Sequence, residues 1–167
     1  MEMLATEFGR VPGPEIVISL MRLVGAALLC GLIGLEREFR DHAAGLRTNM
    51  LVGLACATFA LVALGLLDTY DDDHIRMDPL RLIEAVTGGV AFLAAGLIVL
   101  TRGRVRGLTT GASVWLSAAV GLSAGLGHWL VAVAAAVAGV LVLTAVRQLE
   151  IRWGIAGQRS LEEPYEP

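Results

Sequence analysis

Glu36, Arg37 and Glu38 follow one another at the end of an apolar run, and Arg47, Thr48 and Asn49 open the next run after a short basic loop. Thr109 and Thr110 open another, behind Arg102, Arg104 and Arg106. A helix start carries N–H groups without an intrahelical partner and the positive end of the helix dipole, so it attracts a carboxylate or an anionic ligand. Two helix starts beside two carboxylates therefore make a candidate site. In it Glu36 or Glu38 docks on a helix end with Arg47 as counter-ion, or an external anion takes that place. The plainer alternative has solvated i,i+4 pairs, Glu36 with Arg40 and Arg37 with Asp41, worth about 0.3–0.5 kcal/mol each. Thr48, Asn49, Thr109 and Thr110 are then simple N-caps.

A second constellation is Asp78, Arg81 and Glu84. Asp78 followed by Pro79 is a helix-start signal, a cap before an N1 proline. Glu84 falls about one turn inside the apolar stretch, where an acid is costly and a functional suspect. Either it pairs with Arg81 three residues earlier, or it handles an ion or proton.

These residues are set in an unusually apolar chain. Of 167 residues 56% are hydrophobic and only 17% charged, with a mean hydropathy of +0.70. A bilayer core about 30 Å thick is crossed by roughly 20 apolar residues in a helix. Five runs meet that length, at 16–35, 50–67, 80–100, 108–126 and 129–146. The expected fold class is an all-α integral membrane protein, a bundle of five transmembrane helices. The expected division is an external N-terminal segment 1–15, the membrane domain 16–146 and a short cytoplasmic tail 147–167. Glu2, Glu7 and Glu15 against Arg10 make a poor signal-peptide start, so the first span is expected to stay.

Arginine sets the expected orientation. Arg37, Arg40 and Arg47 flank the first loop, Arg102, Arg104 and Arg106 fill the third, and Arg147, Arg152 and Arg159 follow the last run. The second loop holds Asp68, Asp71, Asp72, Asp73 and Asp78 with Arg76 alone in opposition. The positive-inside rule then puts the N-terminus outside and the C-terminus in the cytoplasm. Trp129 and Trp153 fit as headgroup anchors. Gly25, Gly31, Gly34, Gly88, Gly89, Ala91, Ala95, Gly96 and the pairs Gly107/Gly111 and Gly121/Gly125 are small residues of the kind that mark helix contacts, within one bundle or between copies.

No phosphate loop, HExxH or nucleophile elbow occurs, and His42, His74 and His128 are scattered. No enzymatic activity, catalytic residue or cofactor is expected. Cys30 and Cys56 have no metal-ligand spacing and read as buried thiols; the metal question stays open. Short membrane-flanking arginine clusters favour the lipid bilayer over nucleic acid as partner.

Six stretches resemble the membrane domain of the MgtC/SapB family: GLIGLERE (31–38), AGLRTNMLVGL (44–54), DPLRL (78–82), GVAFLAAGLI (89–98), RGLTTGASVW (106–115) and AAVGLSAG (118–125). The resemblance covers nearly all five runs in order. It implies a multi-pass protein of the bacterial inner membrane tied to magnesium homeostasis. It implies regulation of other membrane proteins, the ATP synthase included, rather than direct transport. A small ion transporter or channel, for magnesium or coupled to protons, is the alternative. The sequence departs from the family at Ala85, where a glutamine is common, and at Ala91 and Ala94, where glycine is. Longer members carry a soluble domain after the fifth helix. Expected partners are another membrane protein and a second copy through the small-residue faces.

Overall fold

The computed structural model describes residues 13–40, 42–69, 78–101 and 104–153. Helix α1 spans Gly13–Glu38, α2 Leu46–Thr69, α3 Pro79–Gly96, α4 Leu108–Gly125 and α5 Trp129–Leu141. A π turn over Val142–Val146 and a last helix α6, Arg147–Arg152, complete the order. Three segments, Glu15–Glu38, Leu46–Leu67 and Trp129–Val146, are long and apolar enough to cross a membrane. Their outer surfaces are apolar and exposed, with Met21, Leu28, Leu51 and Leu130 all more than half accessible. Soluble bundles hide such residues; lipid-facing helices display them.

Helix α4 is the hub, packing on α1, α2, α3 and α5. It can do so because its inward positions are small. Gly111, Ser113, Ser117, Ala118, Gly121, Ala124 and Gly125 are all buried. A Cβ on Gly121 would lie 2.6 Å from the Cα of Gly53 on α2, and one on Gly125 2.7 Å from the Cα of Ala57. Real Cβ atoms do not come so close, so α2 and α4 meet backbone to backbone. Such contacts are how helices gain dispersion energy in lipid, where no hydrophobic drive separates them from the solvent.

Two expectations need correction. The third apolar run does not continue as helix to residue 100. The helix ends at Gly96, and β-branched Val99, Thr101 and Val105 form a two-stranded hairpin, β1 Val99–Thr101 with β2 Arg104–Arg106, in the register Leu100 opposite Val105. Gly107, at φ 88°, turns the chain from this hairpin into α4. The fifth run is α-helical only to Leu141, beyond which the π turn takes over. The Trp129 ring lies over Gly25 of α1 with 38% of the residue exposed, and Trp153 is 72% exposed.

Candidate functional site

The end of α1, the 39–45 loop and the start of α2 close on themselves before they meet anything else. Gly34 and Gly45 make this possible, because a Cβ on Gly34 would lie 2.7 Å from the Cα of Leu46 and one on Gly45 2.9 Å from the carboxyl carbon of Glu38. Into that space Glu38 turns a carboxylate oxygen, which accepts the backbone N–H of Leu46 at 2.9 Å. A carboxylate on the first N–H of α2 meets both the missing hydrogen bond and the helix dipole. Docking of an α1 carboxylate on a helix start is thus present, and Glu38 is the residue.

Asn49 ties this turn to α4. Its amide nitrogen donates to the carbonyls of Ala44 at 3.0 Å and Gly45 at 2.8 Å, and its oxygen accepts the Ser117 hydroxyl at 2.8 Å. The side chain is fully buried, so each of these bonds replaces one lost to solvent. One helical position away Cys30 donates its thiol to the Ser117 carbonyl at 3.2 Å. Cys30 and Cys56 are free and buried, as expected.

Arg37 is the charged member of the cluster. It is 3% exposed and donates from Nη2 to the Thr110 hydroxyl oxygen at 2.7 Å, at the first turn of α4. The neighbouring Glu36 carboxylate, also buried, binds Arg40 Nε through one oxygen at 2.6 Å. Its other oxygen and the Nε of Arg37 are buried without a hydrogen-bond partner. Ser113, one turn on, bonds its own helix at the Thr110 carbonyl. A polar seam therefore runs from Glu36 and Arg37 on α1 through Thr110, Ser113 and Ser117 on α4 to Asn49 on α2.

Of the residues singled out from sequence, Glu36, Arg37, Glu38, Asn49 and Thr110 come together here. Arg47 does not; it is exposed, Glu36 pairs with Arg40 instead, and Arg37 takes the Thr110 hydroxyl. Thr109 is exposed on the far side of Thr110, and Thr48 is half-buried. The simple-cap alternative fails for Thr109 and Thr110, because α4 is capped at Gly107 with no side-chain bond. Of the solvated pairs, Glu36 with Arg40 forms at a buried carboxylate, and Asp41 lies outside the described residues.

At the opposite end of the same helix pair, Arg22 reaches α4. The carbonyls of Leu122, Ser123 and Ala124 are used by Leu126, His128 and Gly127, which leaves that of Gly125. Arg22 Nη1 donates to it at 3.1 Å, and Gly127, at φ 84°, leaves the room that the guanidinium occupies. A cation on the last carbonyl of a helix is favoured by the dipole. Ser113 and Ser117 were missed by the sequence reading, though their i,i+4 spacing on α4 was the available signal.

Asp78 caps α3 as expected, accepting the Leu80 N–H at 2.9 Å. Glu84 does not lie inside the bundle. Both it and Arg81 are exposed, and among the described residues they form no ion pair with one another. Val86 and Val90 face α4, and Glu84 stands on the opposite side of α3.

Long apolar helices locked by buried polar side chains at their ends define a helical membrane protein. The MgtC family model matches residues 23–152, and the chain belongs to that family. It is 40% identical over 134 residues to the putative magnesium transporter YhiD of Escherichia coli K12, covering 80% of this chain and 62% of that protein. It is 47% identical over 105 residues to protein MgtC of Brucella abortus, covering 63% of this chain and 41% of that one. Protein MgtC of Salmonella typhimurium is 40% identical over 118 residues, 71% of this chain and 48% of that protein. The chain thus spans about half the length of these relatives. No solved structure matches it.

Proposed function

We propose that this protein crosses the bacterial inner membrane five times, N-terminus outside, and serves magnesium homeostasis by docking on other membrane proteins rather than by conducting ions. The observation that carries this is the packing between its two polar ends. From Ser117 to Gly125, α4 lies on α2 through Gly53, Ala57 and Ala60 and on α1 through Ala26 and Cys30. A hydrated ion has no passage between backbones in contact. The printed name of one relative, the putative magnesium transporter YhiD, supports the link to magnesium. The exposed residues at the buried seam's end, Phe39 at 81% with Glu38 and Arg47, offer a docking surface. The transporter alternative draws on the charged residues of α1, Arg22 within the helix and Glu36 and Arg37 in its last turn.

Purified protein in liposomes, loaded with a magnesium-sensitive dye and separately with a pH dye, decides between them. No flux above protein-free vesicles is expected. Saturable flux lost in Glu36→Gln would establish the transporter instead. Reporters fused after Pro167 and within the 71–73 loop read the topology separately, and are expected inside and outside respectively.

A further inference from the structure

Helix α3 turns an unusual surface away from the bundle. At 100° per residue Val86 and Val90 lie on one side, buried against Val114, Ala118 and Leu122. The opposite side reads Arg81, Glu84, Ala85, Gly88, Phe92 and Ala95, and every one of these is exposed. Phe92 stands out at 85% accessibility, the projecting ring on an otherwise low surface. A Cβ on Gly88 would meet no atom within 4 Å. Facing lipid, such a surface is costly, because among the described residues a cation and an anion lie on it without pairing and its small residues bury nothing. Ionisable side chains within a membrane almost always pair or face protein.

The pattern is self-complementary. Opposite charges one turn apart on the same face meet their opposites when a two-fold axis brings that face onto itself. The notch at Gly88 and Ala95 flanks Phe92 at i−4 and i+3, so it lies where the ring of a second helix arrives. We propose that this face of α3 is the contact between two copies of this chain. Phe92 of each copy sits in the Gly88–Ala95 notch of the other, and Arg81 of each copy pairs with the partner's Glu84. Another membrane protein would need its own complementary charges and notch; a second copy already has both. The proposal takes from the preceding section only that α3 lies in the membrane, which a further reporter placed in the 102–103 turn, expected inside, reads independently.

The test is disulfide trapping in native membranes, in the full chain with Cys30 and Cys56 replaced by alanine. Gly88→Cys and Ala95→Cys are expected to give covalent dimers on mild oxidation. Leu130→Cys, equally exposed but on α5, and Val90→Cys, facing α4, are expected to give none. Arg81→Glu and Glu84→Arg should each lower the trapped Gly88→Cys fraction about tenfold, and the two together should restore it. Both positions are on the surface, so monomer folding is not at stake, and an unchanged circular-dichroism spectrum and melting curve in detergent check it. Equal trapping at Leu130→Cys, no trapping at Gly88→Cys and Ala95→Cys, or single reversals without effect would overturn the proposal. So would trapping of Gly88→Cys only with a different protein.

Discussion

The guanidinium of Arg37 and the hydroxyl of Thr110 meet at 2.7 Å, joining the last turn of α1 to the first turn of α4. Arg22 stands fifteen residues before Arg37, and the Gly125 carbonyl that it binds lies fifteen residues after Thr110. The antiparallel pair is thus pinned at both ends by arginines of one helix. The inner pin is the less comfortable, since it sets a cation at the positive end of the α4 dipole with one nitrogen unpartnered.

Thr110→Val should strand a buried guanidinium and lower the stability in detergent by about 1–3 kcal/mol. Thr110→Ser keeps the acceptor and should stay near the parent. Arg37→Lys should not match the parent, because one ammonium cannot reproduce the fixed guanidinium fork. Thermal unfolding followed by circular dichroism reads all three. Parent-like melting of Thr110→Val would mean that the bond contributes nothing.

Arg47→Ala should change stability by less than about 0.5 kcal/mol, as for other surface positions. A large loss would restore Arg47 as partner of the α1 carboxylates. This contrast also marks how far the sequence could be read. The polar ends of α1, α2 and α4 were visible as segments at one depth, and their convergence followed from the topology. Which arginine turns inward depends on the angle at which α1 meets α4, and no spacing rule supplies that angle. Glu84 was misplaced for the same reason: its azimuth on α3 was not legible. The hairpin after α3 was hidden inside an apolar run, where helix and strand look alike until Gly96 ends one and Val99 starts the other.

Asn49 and Ser117 should be coupled. Asn49→Ala frees the Ala44 carbonyl and the Ser117 hydroxyl and removes one of two donors from the Gly45 carbonyl, whereas Ser117→Ala frees a single amide oxygen, so the first should cost more. The double substitution should fall short of the sum by about 0.5–3 kcal/mol, the range for residues sharing a network. Strict additivity in melting experiments would refute a shared bond.

Gly121→Ala should be among the most damaging of small changes, since its methyl would be forced onto the Gly53 backbone. Overpacking of this kind costs about 1–3 kcal/mol or more. Gly65→Ala has nothing within 4 Å of the new methyl and serves as control, expected to melt with the parent. The comparison fails if the two variants melt together.

Arg22→Gln keeps a donor but shortens it, and Arg22→Ala leaves the Gly125 carbonyl bare. The alanine variant should lose more, by about 1–3 kcal/mol relative to the parent. Added salt should not close the gap if the contact is shielded from solvent.

The hub position of α4 also has a meaning in time. The chain is made from its N-terminus, so α1, α2 and α3 are complete while the helix that they all touch is still in the ribosome. Until it arrives, Arg37 lacks Thr110 and Asn49 lacks Ser117, and lipid offers neither a substitute. These unmet groups mark an open slot lined by Gly53 and Ala57, narrow enough that only a helix with glycine or alanine at the matching heights can slide in. The last steps of biogenesis are therefore an insertion between neighbours already in place, and a chain halted before residue 108 would remain an open shell for the cell's membrane quality control to find.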